Sequence, residues 1–145
     1  MTSLPTGRFL ALVFAAFALA AGCSSGGGDA SSNTAVDDDP AGIRIVTPEA
    51  GAEIQGGDTV VLDVRTSEEF TEGHLEGAVM IDFYAPDFAD QLAELDPDAS
   101  YLLYCRSGSR SGQTTPIMSE LGFTDVADVD GGILAWIDAG LPVVE

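Results

Sequence analysis

Apolar residues come in short runs separated by Gly, Pro and acidic turns, and the period within each run distinguishes strand from helix. Residues 43–46 read as a short strand, and Thr47-Pro48-Glu49 as a helix start with a capping residue, a proline at the first helical position and an acid in the first turn. Gly51 and Gly56-Gly57 keep that helix short. Residues 59–64 form a strong buried-strand run, and Thr66-Ser67-Glu68-Glu69 is a capping box opening a helix that Gly73 stops. Residues 78–81 are a further strand. Phe88, Leu92 and Leu95 then fall at helical spacing until Asp96-Pro97 breaks the pattern. The run Tyr101-Leu102-Leu103-Tyr104 predicts a strand buried on both sides. Residues 111–121 predict a helix ended by Gly122, in which Pro116 removes a backbone donor and is expected to kink the axis. Residues 124–129 are the last strand, and Asp130-Gly131-Gly132 turns into a final helix carrying Trp136, closed by Gly140-Leu141-Pro142. Strands and helices alternate throughout, which predicts a parallel sheet covered by helices on both faces, in one α/β domain over residues 43–145.

The preceding chain follows different rules. Residues 1–22 carry one positive charge, Arg8, and then an apolar run over residues 9–21, too short to span a bilayer and ending in small residues as an export signal does. Leu19-Ala20-Ala21-Gly22-Cys23 resembles a bacterial lipobox, with Ala20 where Leu is usual. The alternatives are an ordinary secretory signal or an uncleaved short anchor. On the lipobox reading, residues 1–22 are a lipoprotein signal peptide and Cys23 is acylated. Residues 24–42, rich in Ser, Gly and Asp, complete a flexible linker that begins at Cys23. The expected location is the extracytoplasmic side of the cell membrane, held by an N-terminal lipid.

Charge narrows the partners. The chain has 24 acidic and five basic residues, a net charge of -19, and every basic residue is an arginine. Nucleic acid is therefore not expected as a partner. Of the four arginines beyond the signal, two stand in Cys105-Arg106-Ser107-Gly108-Ser109-Arg110, between the 101–104 strand and the helix after it. A strand-to-helix junction lies at the carboxyl edge of an open α/β sheet, where backbone N–H groups face bound anions. A sulfur there sees positive potential, and Arg106 and Arg110 are expected to lower the Cys105 pKa further and keep it a nucleophilic thiolate. Gly108 allows a positive φ, so that successive N–H groups converge. The alternative is that Cys105 is a small buried hydrophobe. With Cys23 lipidated, Cys105 has no disulfide partner in the chain.

Several blocks in this order resemble the rhodanese-like sulfurtransferase family. They are Leu62-Asp63-Val64-Arg65-Thr66 with Glu68-Glu69-Phe70, Gly73-His74-Leu75 and Gly77-Ala78-Val79; the loop from Tyr104 to Ser111; and Gly122-Phe123, Gly131-Gly132-Ile133-Leu134-Ala135-Trp136 and Gly140-Leu141-Pro142. The resemblance implies a five-stranded parallel rhodanese-like α/β domain in which Cys105 becomes a persulfide. Arg106, Ser107, Gly108, Ser109 and Arg110 would hold a small sulfur-containing anion or thiol. The implied enzyme is thiosulfate sulfurtransferase-like, and no metal or organic cofactor is implied. Superfamily members acting on phosphate or arsenate carry one more residue between Cys and Arg; four separate Cys105 from Arg110, and the smaller ring favours sulfur. A monomer is expected. The same Cys also suits a non-enzymatic persulfide carrier, redox sensor or binding module.

Three further features are weighed beside the loop. His74, the single histidine, is read as a structural hydrogen-bonding residue ahead of a general base. Asp63 and Arg65, at the carboxyl end of a strand, either border the pocket or pair internally. Asp128-Val129-Asp130-Gly131 suggests half of a calcium loop, but its first and twelfth positions would be Val126 and Ile137, which excludes an EF-hand.

Overall fold

The computed structural model describes residues 42–145. Residues 1–41, on which the expected signal peptide, Cys23 and all but the last residue of the expected linker fall, lie outside the described residues. Five strands and five helices alternate: β1 (Ile43–Val46), α1 (Pro48–Ile54), β2 (Val60–Asp63), α2 (Ser67–Thr71), β3 (Val79–Met80), α3 (Phe88–Ala93), β4 (Tyr101–Tyr104), α4 (Ser109–Glu120), β5 (Val126–Val129) and α5 (Gly132–Asp138). The strands form one sheet in the order β1-β5-β4-β2-β3, and every neighbouring pair is parallel.

Central β4 is buried at all four residues, which is why its sequence is apolar without alternation. Its side chains divide between two cores. Tyr101, Leu103 and then Cys105 pack with Phe88 of α3 and Met118 of α4. Leu102 and Tyr104 pack with Ile133 and Trp136 of α5, and Ala50, Ala52 and Ile54 of α1 lie against them. The helices thus cover both faces, and Cys105 continues the strand's alternation onto the α4 side.

The helix starts follow the expected chemistry. Thr47 Oγ1 accepts the Ala50 N–H at 3.3 Å, and Thr66 and Glu69 complete a reciprocal capping box at the head of α2. One expectation needs correction. Helix α4 begins at Ser109, not Ser111, so Ser109 and Arg110 belong to its first turn. As expected, the helix continues through Pro116, to Glu120. Pro116 cannot donate to the Gly112 carbonyl; the Thr115 hydroxyl does so at 3.2 Å and meets part of the loss.

Candidate active site

Cys105 is the residue after β4, and Gly108 is the N-cap of α4 with φ +88°. That left-handed turn folds the loop back on the sulfur: the Gly108 N–H donates to Cys105 Sγ at 3.1 Å, and the Ser111 hydroxyl lies 3.6 Å from Sγ. Burial pushes the Cys105 thiol up, but hydrogen bonds from the backbone at Ser111, Ser107 and Arg110 and from the Ser111 hydroxyl outweigh it. The thiol therefore lies below its ordinary value. Sequence reasoning assigned this lowering partly to the two arginines; the leading contributors are the loop's own donors. Cys105 itself is fully buried (0 % exposed).

The last strand-to-helix turn braces the loop from behind. The N–H groups of Ile133 and Leu134, at the head of α5, donate to the carbonyls of Cys105 and Arg106 at 2.9 and 3.1 Å. Only a glycine fits at position 132, because a Cβ there would lie 2.4 Å from the Cys105 carbonyl oxygen.

The two loop arginines have different surroundings. Arg110 makes a bidentate pair with Glu69, Nη1 to Oε2 at 2.6 Å and Nη2 to Oε1 at 2.8 Å, beneath the Tyr84 ring. Its hydrogen bond holds the Glu69 carboxyl down at about 2. Arg106 is exposed and, among the described residues, is the arginine without a carboxylate partner. It lines a cleft of about 200 Å³ with Arg65, Glu69, Glu72, Ile133 and Leu134. Ser107 and Ser109 are exposed beside it.

Asp63 and Arg65 pair internally, and of the two only Arg65 lines the cleft. Arg65 borders the cleft and pairs with buried Asp63, its Nη2 lying 2.7 Å from Oδ2. The Tyr104 hydroxyl donates to the same carboxylate at 2.6 Å, and Arg65 Nη2 donates to the Gly73 carbonyl at 2.8 Å. Burial and the Asp63 charge push the Tyr104 phenol up. His74 stacks on Phe70 with centroids 3.8 Å apart, and its Nδ1–H donates to the Phe70 carbonyl at 3.1 Å. That is a structural placement, with no hydrogen bond to Cys105.

The rhodanese-like domain family matches residues 47–139. The chain belongs to that family. Among its relatives, a sulfurtransferase of Allochromatium vinosum is 32% identical over 87 residues, 60% of this chain and 79% of that one. Thiosulfate sulfurtransferase 16, chloroplastic, of Arabidopsis thaliana is 37% identical over 91 residues, 56% of this chain and 76% of that one. A tRNA uridine(34) hydroxylase of Chlamydia trachomatis is 36% identical over 107 residues, 70% of this chain but 33% of its own length. The crystal structure of a rhodanese-related protein from Thermoplasma volcanium superposes with a TM-score of 0.61 at 31% identity, covering 68% of this chain and 95% of that one. This rhodanese-like domain thus has the expected five-stranded α/β architecture.

Sequence reasoning missed three participants. Glu69 was legible as a cap but not as the partner of Arg110, 41 residues away. Tyr84 carries no motif. Asp128 was weighed as a calcium ligand, whereas it is 5 % exposed and close to the Ser111 hydroxyl.

Proposed function

We propose that this domain is a sulfurtransferase that moves sulfane sulfur from a donor such as thiosulfate to a thiophilic acceptor, cyanide or a thiol, through a persulfide on Cys105. The observation that carries the reading is the thiol held below its ordinary value by converging loop donors at the head of α4. The Cys105 thiolate attacks the outer sulfur of the donor. A new S–S bond forms, the bond to sulfite breaks, and sulfite leaves with the electron pair. The loop N–H groups then hold the persulfide anion. Cyanide attacks the outer sulfur, thiocyanate departs, and the electron pair returns to Cys105 as thiolate. Arg106 meets the anionic donor, Ser107 and Ser109 line its approach, and Arg110, already balanced by Glu69, fixes the loop. The sulfurtransferase names of two relatives support the reaction class.

The residues ahead of the domain support a lipid-anchored, extracytoplasmic version, in which Cys23 is acylated after cleavage at residue 22 and residues 24–42 tether a monomeric domain to the membrane. Cys23→Ser should move the protein from the membrane to the soluble fraction.

Thiocyanate formation from thiosulfate and cyanide, with intact mass followed on the same samples, tests the chemistry. Multiple turnovers and a gain of about 32 Da, both lost in Cys105→Ser, are the expected result. The same lowered thiol also suits a second reading, a persulfide carrier or redox sensor. A single stoichiometric modification without turnover would select it.

A further inference from the structure

Asp128 lies in β5 beside Leu103 of β4 and Ile45 of β1. Residues in register across parallel strands share a face, so Asp128 lies on the face of Leu103 and Cys105, beneath α4. It is 5 % exposed, and Oδ1 is buried without a hydrogen-bond partner among the described residues. Among the described residues, the groups facing it include no free cation. Helix α4 presents the Ser111 hydroxyl, β4 leads on to Cys105, β1 presents Ile45, and the end of β5 adds the negative charge of Asp130. Arg44 is paired with Asp125 and Arg110 with Glu69. A lone carboxylate in such a place is costly, and the neutral acid is favoured. Burial pushes the Asp128 carboxyl up to about 7, the Asp130 charge adds to this, and the Ser111 hydroxyl opposes it.

Ser111 is the link. Its hydroxyl has one proton to donate and lies 3.6 Å from Cys105 Sγ, 3.3 Å from the Gly108 carbonyl oxygen, and near the Asp128 carboxyl. We propose that neutral Asp128 is a positioning residue for Cys105: its carboxyl O–H donates to Ser111 Oγ, and the Ser111 O–H is thereby aimed at the thiolate sulfur. The chain is cooperative, each donor polarising the next. When Asp128 ionises, its proton goes to solvent, and the carboxylate draws the Ser111 O–H to itself. The sulfur loses a donor and gains a negative neighbour, which disfavours both the thiolate and an anionic donor. This rests on Cys105 being the nucleophile proposed above.

The test is the Cys105 thiolate titration, read by ultraviolet absorbance against Cys105→Ser in the full chain, alongside kcat/KM for thiosulfate. Absorbance needs neither substrate nor access to the buried sulfur. Asp128→Asn keeps a donor toward Ser111 at every pH, so its thiolate should form at lower pH than in the parent. The parent should lose activity as pH rises through about 7, and Asp128→Asn should not, giving it at least about a fivefold advantage well above that pH. Ser111→Ala should raise the thiolate titration and remove most of the shift that Asp128→Asn causes. A folded Asp128→Asn protein titrating like the parent overturns the proposal. So does an unshifted titration in Ser111→Ala, which decides the matter even where Asp128→Asn does not fold. Shifted titrations in variants of a parent that makes no thiocyanate would support the linkage and reject the sulfurtransferase reading.

Discussion

Arg106 and Arg110 are four residues apart and electrostatically unlike, because Glu69 neutralises one of them. Arg106→Ala should therefore raise KM for thiosulfate about tenfold, the loss of one charge-assisted contact, with little change in Tm. Steady-state kinetics beside thermal melts would show it. The carboxyls at the two ends of the site bias stability in opposite directions. Glu69 is held at about 2 against its ordinary 4.5, so its contribution is complete above 4.5 and disappears as pH falls through about 2. Glu69→Gln should flatten that acid limb and lower Tm at neutral pH, since it removes the charge that pairs with Arg110. Asp128 is raised from 3.8 to about 7, so its protonated form adds stability that is complete below 3.8 and lost as pH rises through about 7. Asp128→Asn should melt higher than the parent above that pH and show no such loss; melts across the range would measure both effects.

At the scale of elements, α4 and α5 do different work around one loop. Helix α4 supplies the donors that face the sulfur, and α5 holds the loop's carbonyls. Gly132→Ala places a methyl 2.4 Å from the Cys105 carbonyl at a φ of +60°. A measurable fall in Tm together with a loss of most sulfur-transfer activity is the expected result. Pro116 is the contrasting case. It is exposed and stands more than one helical turn beyond Ser111, and its cost is one missing donor that Thr115 partly replaces. Pro116→Ala should stabilise the domain by about 1 to 2 kcal/mol without moving the Cys105 titration, checked by denaturant unfolding and thiolate absorbance.

The whole molecule sets a long-range field that the loop must overcome. With 24 acidic residues against five arginines, the net charge of -19 repels a dianionic donor at distance while Arg106 attracts it locally. Modest added salt should therefore raise kcat/KM for thiosulfate as the outer field is screened; a steep fall would show that local attraction dominates the encounter. Much of this domain was legible in the amino-acid sequence. Short apolar runs bounded by turn residues, caps such as Thr66 with Glu69, and glycines at left-handed turns such as Gly108 are local properties, so strand and helix order and the Cys105 loop followed from neighbours in the chain. The alternation of strands and helices likewise implied a parallel sheet. Three things were decided only by tertiary structure: that Glu69 neutralises Arg110, that backbone donors lead in holding the Cys105 thiol below its ordinary value, and that Asp128 is buried beneath Ser111. The first depends on a distance between residues remote in sequence and the third on the removal of water from a charge, both of which arise when the sheet closes under α4. The second depends on how closely near neighbours of Cys105 approach its sulfur, against the cost of burying it.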